Sequence, residues 1–283
     1  MKICEELKFK INEFEALRGE SPFCQISIGC DSIDWDRCCK ENSFPWGFIL
    51  KEDRMLEKID QLITRFEIEK KGTTDFKARL KDVGGDNNLN KLNAEIAVIS
   101  ELLVADYLSS KGEGIQNLAA WEGSLEADIK SKCKKDEQIY FTEVKYLGEI
   151  PELYQVVTNQ ISKGSTWLPD LKTLYTYVAI RIVDAIRQLV GINSAGQKRV
   201  FILIKSRIVA NDNIIQEIRN PQDWDEGKLS ELCNKLGICP NRYLGKSITD
   251  WLKEVNILEV AYLNSSYDVN PKLKFNATDE RAR

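Results

Sequence analysis

The sequence predicts an α/β (α+β) protein, with a central mixed sheet flanked by helices and a mainly helical N-terminal region ahead of it. Three observations lead there. Helix-period and strand-period segments are interleaved from Asn93 to Leu263, which is the mark of this class. Three strand-like runs, 115–121, 125–132 and 138–146, follow one another closely enough to form a meander. The run Arg199-Val200-Phe201-Ile202-Leu203-Ile204 is continuously apolar after its first residue, as expected of a strand buried on both faces.

In chain order, residues 1 to about 20 read as a short amphipathic helix through Leu7, Ile11, Phe14 and Leu17. Residues 21–50 are irregular, with Pro22, Gly29, Pro45 and Gly47. A second amphipathic helix spans 51–71, and its stripe of Met55, Leu56, Ile59, Leu62, Ile63 and Phe66 is too short for a coiled coil. Residues 72–90 are polar and turn-rich, so the expected division is 1–90, of unread role, and 91–283. A helix over 93–108 ends at the Gly112/Gly114 break, before the meander. Pro151 opens a predicted helix that ends near Gly164, and a longer apolar one covers 169–190. After Arg199–Ile204 come short helices at 228–236 and 247–255, a strand at 257–263 and a further strand at 272–275.

Composition removes several kinds of chemistry. The chain has 283 residues, 43% hydrophobic and 30% charged, and contains no histidine. Histidine-dependent triads, histidine zinc-protease motifs and histidine-centred nucleases are thereby excluded. No apolar run is long enough to span a membrane, and no secretory signal follows Met1-Lys2, so the expected location is cytoplasmic. In that compartment the eight cysteines are expected to be mostly free thiols. Cys24, Cys30, Cys38 and Cys39 lack C-x-x-C spacing and read as thiols, not as a zinc site. A net charge of −4 offers nucleic acid no global attraction, leaving any such contact to a local basic patch. Trp167, Tyr175 and Trp251 read as core or interface residues.

The chemistry concentrates between Asn93 and Gly148. Glu101 has Ala97, Val98, Val104, Ala105 and Leu108 as its helical neighbours, so it faces the core and requires a partner or a cation. Glu95 is placed similarly, one face away. Alternation sends Glu143 and Lys145 to one side of their strand with Phe141, and hairpin pairing brings Asp128 of the preceding strand beside Glu143. Converging carboxylates suit a hard divalent cation, and a neighbouring lysine can orient or deprotonate a water or steady a phosphate. The plainer alternative is an exposed strand face with a cross-strand ion pair. The lysine-rich turn Lys130, Lys132, Lys134 and Lys135 matters chemically only if it lies beside this set.

The ordered set of Glu101 (or Glu95), Asp128 in Ala127-Asp128-Ile129 and Glu143-Val144-Lys145 resembles the PD-(D/E)xK nucleases, the restriction-endonuclease-like superfamily. Glu101, Leu108 and Gly112 fit an E-x6-L-x3-G spacing seen in that family, which favours Glu101 over Glu95; Ala127 stands where the family usually has proline. The resemblance covers roughly residues 93–205. It implies a restriction-endonuclease-like fold and a metal-dependent endonuclease that hydrolyses DNA phosphodiester bonds, in a restriction or phage-defence role. It implies Mg²⁺, with Mn²⁺ as a substitute, held by Asp128, Glu143 and Glu101, with Lys145 positioning the attacking water. Gln155 and Gln160 are secondary candidates, because some members carry glutamine on the helix after the E-x-K strand. The implied partner is nucleic acid, specifically DNA, with no membrane, and cutting both strands of a duplex calls for a homodimer. The alternative is a non-catalytic nucleic-acid- or protein-binding module on the same fold.

Overall fold

The computed structural model describes the backbone of residues 89–122, 125–147, 171–192, 195–205, 212–264 and 268–276, and helical positions 58, 61–62 and 64–66. Side chains are described over these ranges except at 89–96, 98 and 119–126. The predicted helices at 1–20 and 151–164, with Gln155, Gln160, Trp167 and the cysteine group 24–39, lie outside the described residues.

A six-stranded mixed sheet in sequential order β1 to β6 forms the centre, with β1 at Glu113–Glu122, β2 at Leu125–Cys133, β3 at Ile139–Leu147, β4 at Gln197–Ile204, β5 at Ile257–Leu263 and β6 at Val269–Asn276. β1, β2 and β3 pair antiparallel, which is the expected meander. β3–β4 and β4–β5 pair parallel and β6 returns antiparallel. The helices are α1 (Leu89–Ser110), α2 (Leu171–Val190), α3 (Asp212–Arg219), α4 (Glu226–Leu236) and α5 (Ile248–Leu252). The mixed sheet flanked by helices is the predicted class and is consistent with a nuclease-like α+β fold.

The two sheet faces are covered by different helices. Val200, Ile202 and Ile204 of β4, with Leu258 and Val260 of β5, join the core built on α2. Phe201, on the alternate face, packs edge-on against Tyr107 of α1 at 5.7 Å. By alternation along β3, Phe141, Glu143, Lys145 and Leu147 share the α2 face, while Tyr140, Thr142, Val144 and Tyr146 share the α1 face. β4 is buried on both faces from Arg199 onward, as its apolar run predicts.

Local signals fix several boundaries. Gly112, at φ 91°, takes the left-handed conformation that turns the chain from α1 into β1. The Asp225 side chain accepts from the Lys228 N–H to cap α4, and Gly237 ends that helix in the left-handed region. Ser247 caps α5 through the Asp250 N–H at 3.0 Å, and the helix stops at Leu252, short of the predicted 255. α3 was not expected from sequence; its Ile214, Ile215 and Ile218 bury one short stripe on α2. The described positions within 51–71 pack on this same body: Leu62 and Phe66 are buried, Arg65 Nη1 bonds Asp106 of α1 at 2.8 Å, and Lys58 bonds Asp268. Among the described residues, no helix is long and apolar enough to cross a membrane.

Candidate functional site

β2 and β3 pair from Lys132/Ile139 as far as Ile129/Thr142 and then part. At the point of parting, Asp128 replaces the next backbone partner: its Oδ2 accepts from the Val144 N–H at 2.7 Å. The bond fixes a carboxylate 8% exposed beside one of 2%, Glu143. Two acids held this deep are unfavourable unless compensated. Part of the compensation is Lys145, whose Nζ donates to Glu143 Oε1 at 2.6 Å. The exposed-strand reading of this face is therefore incorrect, because Glu143 is almost fully enclosed.

Lys145 also donates to Gln188 Oε1 of α2 at 2.5 Å. Burial acts to lower its pKa, but the Glu143 and Asp128 carboxylates, the Glu143 hydrogen bond and Asp184 outweigh it, leaving the amine above its ordinary value. In the cation-free protein Lys145 is a fixed ammonium, suited to orienting water or steadying an anion more than to deprotonating anything. Asp184 stands one turn before Gln188 on α2 and accepts from the buried Tyr243 hydroxyl at 3.0 Å. The loop and short helices between β4 and β5 thus buttress the helix that touches Lys145.

The structure brings Asp128, Glu143 and Lys145 together. Glu101 is buried at 4% on α1, engaged in interactions of its own, and α1 packs on the Phe201 face. Among the described residues, no group of three or more acidic or cysteine side chains is arranged to hold a metal ion. Glu95 lies in α1, with its side chain outside the described residues. Sequence reasoning missed Gln188 and Asp184. The available signal was a glutamine and an aspartate at i, i+4 spacing near the end of an otherwise buried helix.

A second charged group, also unforeseen, lies on the α1 face. Arg199, 1% exposed, grips Glu113 with two bonds, Nη2–Oε1 at 2.7 Å and Nη1–Oε2 at 3.0 Å. Its Nε lies 3.6 Å from Glu259, and its guanidinium covers the Tyr140 ring at 4.3 Å. Ser131 donates to Glu113 at 2.6 Å, and Lys274 pairs with Glu259 at 3.2 Å. Each large charge in this set has a counter-charge, which marks a structural tie across β1, β4 and β5. Cys133, Cys233 and Cys239 are free thiols. Tyr175 is buried and Trp251 packs against the core, as expected.

No family of known proteins matches the chain, and no curated protein does. Among solved structures, it is similar to SfsA of Pyrococcus furiosus, solved in complex with Ca²⁺, at 11% identity and a TM-score of 0.22. The similarity covers 63% of this chain and 62% of that protein, so less than two thirds of SfsA is spanned. A likeness that low assigns no activity.

Proposed function

We propose that the chain is a metal-dependent nuclease of the PD-(D/E)xK type that hydrolyses DNA phosphodiester bonds. The observation that carries this reading is the buried Asp128–Glu143 pair bridged by Lys145 where β2 and β3 part. The donor set fits Mg²⁺ or Mn²⁺: both acids offer hard oxygen ligands, and Mg²⁺ is commonly held by one or two carboxylates with waters and substrate phosphate completing its shell. Two described carboxylates therefore suffice, and Glu101, buried on α1 over the opposite sheet face, is not needed for that shell.

When bound, the cation supplies Lewis-acid polarisation of the phosphate and a more acidic water. The chain's own residues do the rest. Asp128 is clamped through one carboxylate oxygen by the Val144 N–H, which fixes it where β2 and β3 part. Glu143 holds the Lys145 ammonium in place, and Gln188 restrains it from the helix side. So positioned, Lys145 orients the attacking water and offsets the negative charge that grows on the phosphate.

The test is incubation of purified protein with plasmid, linear duplex and single-stranded oligonucleotides across Mg²⁺ and Mn²⁺, beside Asp128→Ala. Metal-dependent cleavage lost in the variant supports the reading. Intact substrates in every condition would sink it, and substrates left intact yet bound without metal, by wild type and Lys145→Ala alike, would reassign the fold to a binding module.

A further inference from the structure

We propose that Lys130 and Lys198 form a docking row for the phosphate backbone of a nucleic-acid strand, beside the acid pair. The proposal rests on the phosphodiesterase reading and names a substrate contact of the same site. Strand register sets the row. Lys130 of β2 pairs with Phe141 of β3, and Phe141 pairs with Lys198 of β4, so the three stand abreast on neighbouring strands. Directly paired residues point to the same face of a sheet, and here it is the face of Glu143. Lys130 Nζ lies over the Phe141 ring at 5.3 Å, and Lys198 Nζ donates to the Val190 carbonyl of α2 at 3.2 Å. Both lysines are half-buried, whereas Phe141 is buried between them. Gly196 presses on that ring so closely that an added Cβ would stand 2.8 Å from it. The spacer between the two ammonium groups is therefore rigid.

The acid row follows from the same register. Asp128 lies two residues before Lys130 on β2 and Glu143 two residues after Phe141 on the antiparallel β3, so both acids stand to the same side of the lysine row and on the same face. At about 3.4 Å per residue, the acid row and the lysine row are about 7 Å apart. That is on the order of one nucleotide of extended backbone. A strand whose scissile phosphate meets Asp128 and Glu143 thus sets a neighbouring phosphate over Lys130 and Lys198. Such contacts position the strand without reading its sequence. The other lysines of the hairpin lie farther from the acids: Lys132 stands two residues beyond Lys130, and Lys134 and Lys135 are exposed beyond the pairing with β3.

Fluorescence anisotropy with labelled single-stranded and duplex DNA, in EDTA and over a salt series, tests the row. Lys130→Gln with Lys198→Gln should lower the slope of log affinity against log salt by roughly 0.7–0.9, since the two lysines share one phosphate and each phosphate no longer neutralised removes about that much. Affinity should fall alike for unrelated sequences, and the paired arginine replacements should restore the slope. Lys272→Gln, on the far edge strand β6, controls for net charge and should leave the slope unchanged. Wild-type binding with an unchanged slope in the double glutamine variant, or an equal fall in Lys272→Gln, overturns the docking row alone. Absence of any wild-type binding in EDTA also overturns the docking row, whereas the phosphodiesterase reading falls only if the cleavage assay leaves every substrate intact.

Discussion

Replacing Lys145 by methionine keeps most of the side-chain stem and removes the charge. The Glu143 carboxylate, 2% exposed, then loses its 2.6 Å ammonium partner while Asp128 remains close by. A hydrogen bond to a charged group is worth about 1.5–3 kcal/mol. The bond to the Gln188 amide oxygen is donated by the same ammonium and is of similar size, and freeing a three-quarters-buried lysine from desolvation returns a large part of the sum. The expected net loss in metal-free protein is about 1–3 kcal/mol, read as a lower midpoint in urea unfolding followed by circular dichroism. Millimolar Mg²⁺ should recover part of that loss, because a divalent cation between Asp128 and Glu143 replaces the missing positive charge. Cleavage in Mg²⁺ should fall about 10²–10³-fold, as when one preorganised donor to a developing anion is deleted. An unchanged midpoint together with unchanged cleavage would refute the role given to Lys145. A lowered midpoint that Mg²⁺ leaves untouched would refute the cation site.

Three further outcomes follow from other parts of the structure. Arg199→Met leaves Glu113 and Glu259 buried without their shared cation and should cost about 3–5 kcal/mol in urea unfolding, with Glu113→Gln added to it recovering part; equal stability of wild type and single variant would contradict the tie. Gly196→Ala drives a methyl to 2.8 Å from Phe141 and 3.2 Å from the Ile139 carbonyl, so a loss of about 1–3 kcal/mol is expected from the same assay, and a neutral effect would show that the β3–β4 row is looser than described. Burial holds the Tyr262 phenol up to about 12 and raises Tyr175 and Tyr243 as well, so the folded protein keeps protons that the unfolded chain releases near 10. Stability from these groups is intact below pH 10 and declines as pH rises toward 12, so phenolate absorbance should rise together with loss of circular dichroism. Titration of all nine tyrosines near pH 10 with the fold intact would contradict this.

The parts of the site that follow from local pattern were legible in the sequence. Alternation in Phe141–Lys145 placed Glu143 and Lys145 on one face, and the short connection between β2 and β3 brought Asp128 to the same end. The sheet was equally readable, because strands buried on one or both faces carry distinct apolar patterns. What was hidden depends on contacts remote in sequence. Arg199 opens a run read for its apolar character, yet an arginine on a strand buried on both faces requires carboxylates, and these come from Glu113 and Glu259, 86 residues before it and well after it. Gln188 was overlooked because glutamine was sought at 155 and 160, whereas the helix that touches Lys145 among the described residues is α2. α3 escaped because eight residues with three isoleucines carry too short a period to stand out. Glu101 was rightly read as buried, but burial alone does not say on which side of a sheet an acid finds its partner.

The most direct test of the central claim is calorimetric titration of Mg²⁺ and Mn²⁺ into wild type and Asp128→Ala, with a non-cleavable DNA oligonucleotide present to complete the metal shell. Saturable binding in wild type, lost in the variant while its unfolding midpoint is retained, is the predicted result. Wild type that binds neither cation with DNA bound, or a variant that binds them equally well, would contradict it.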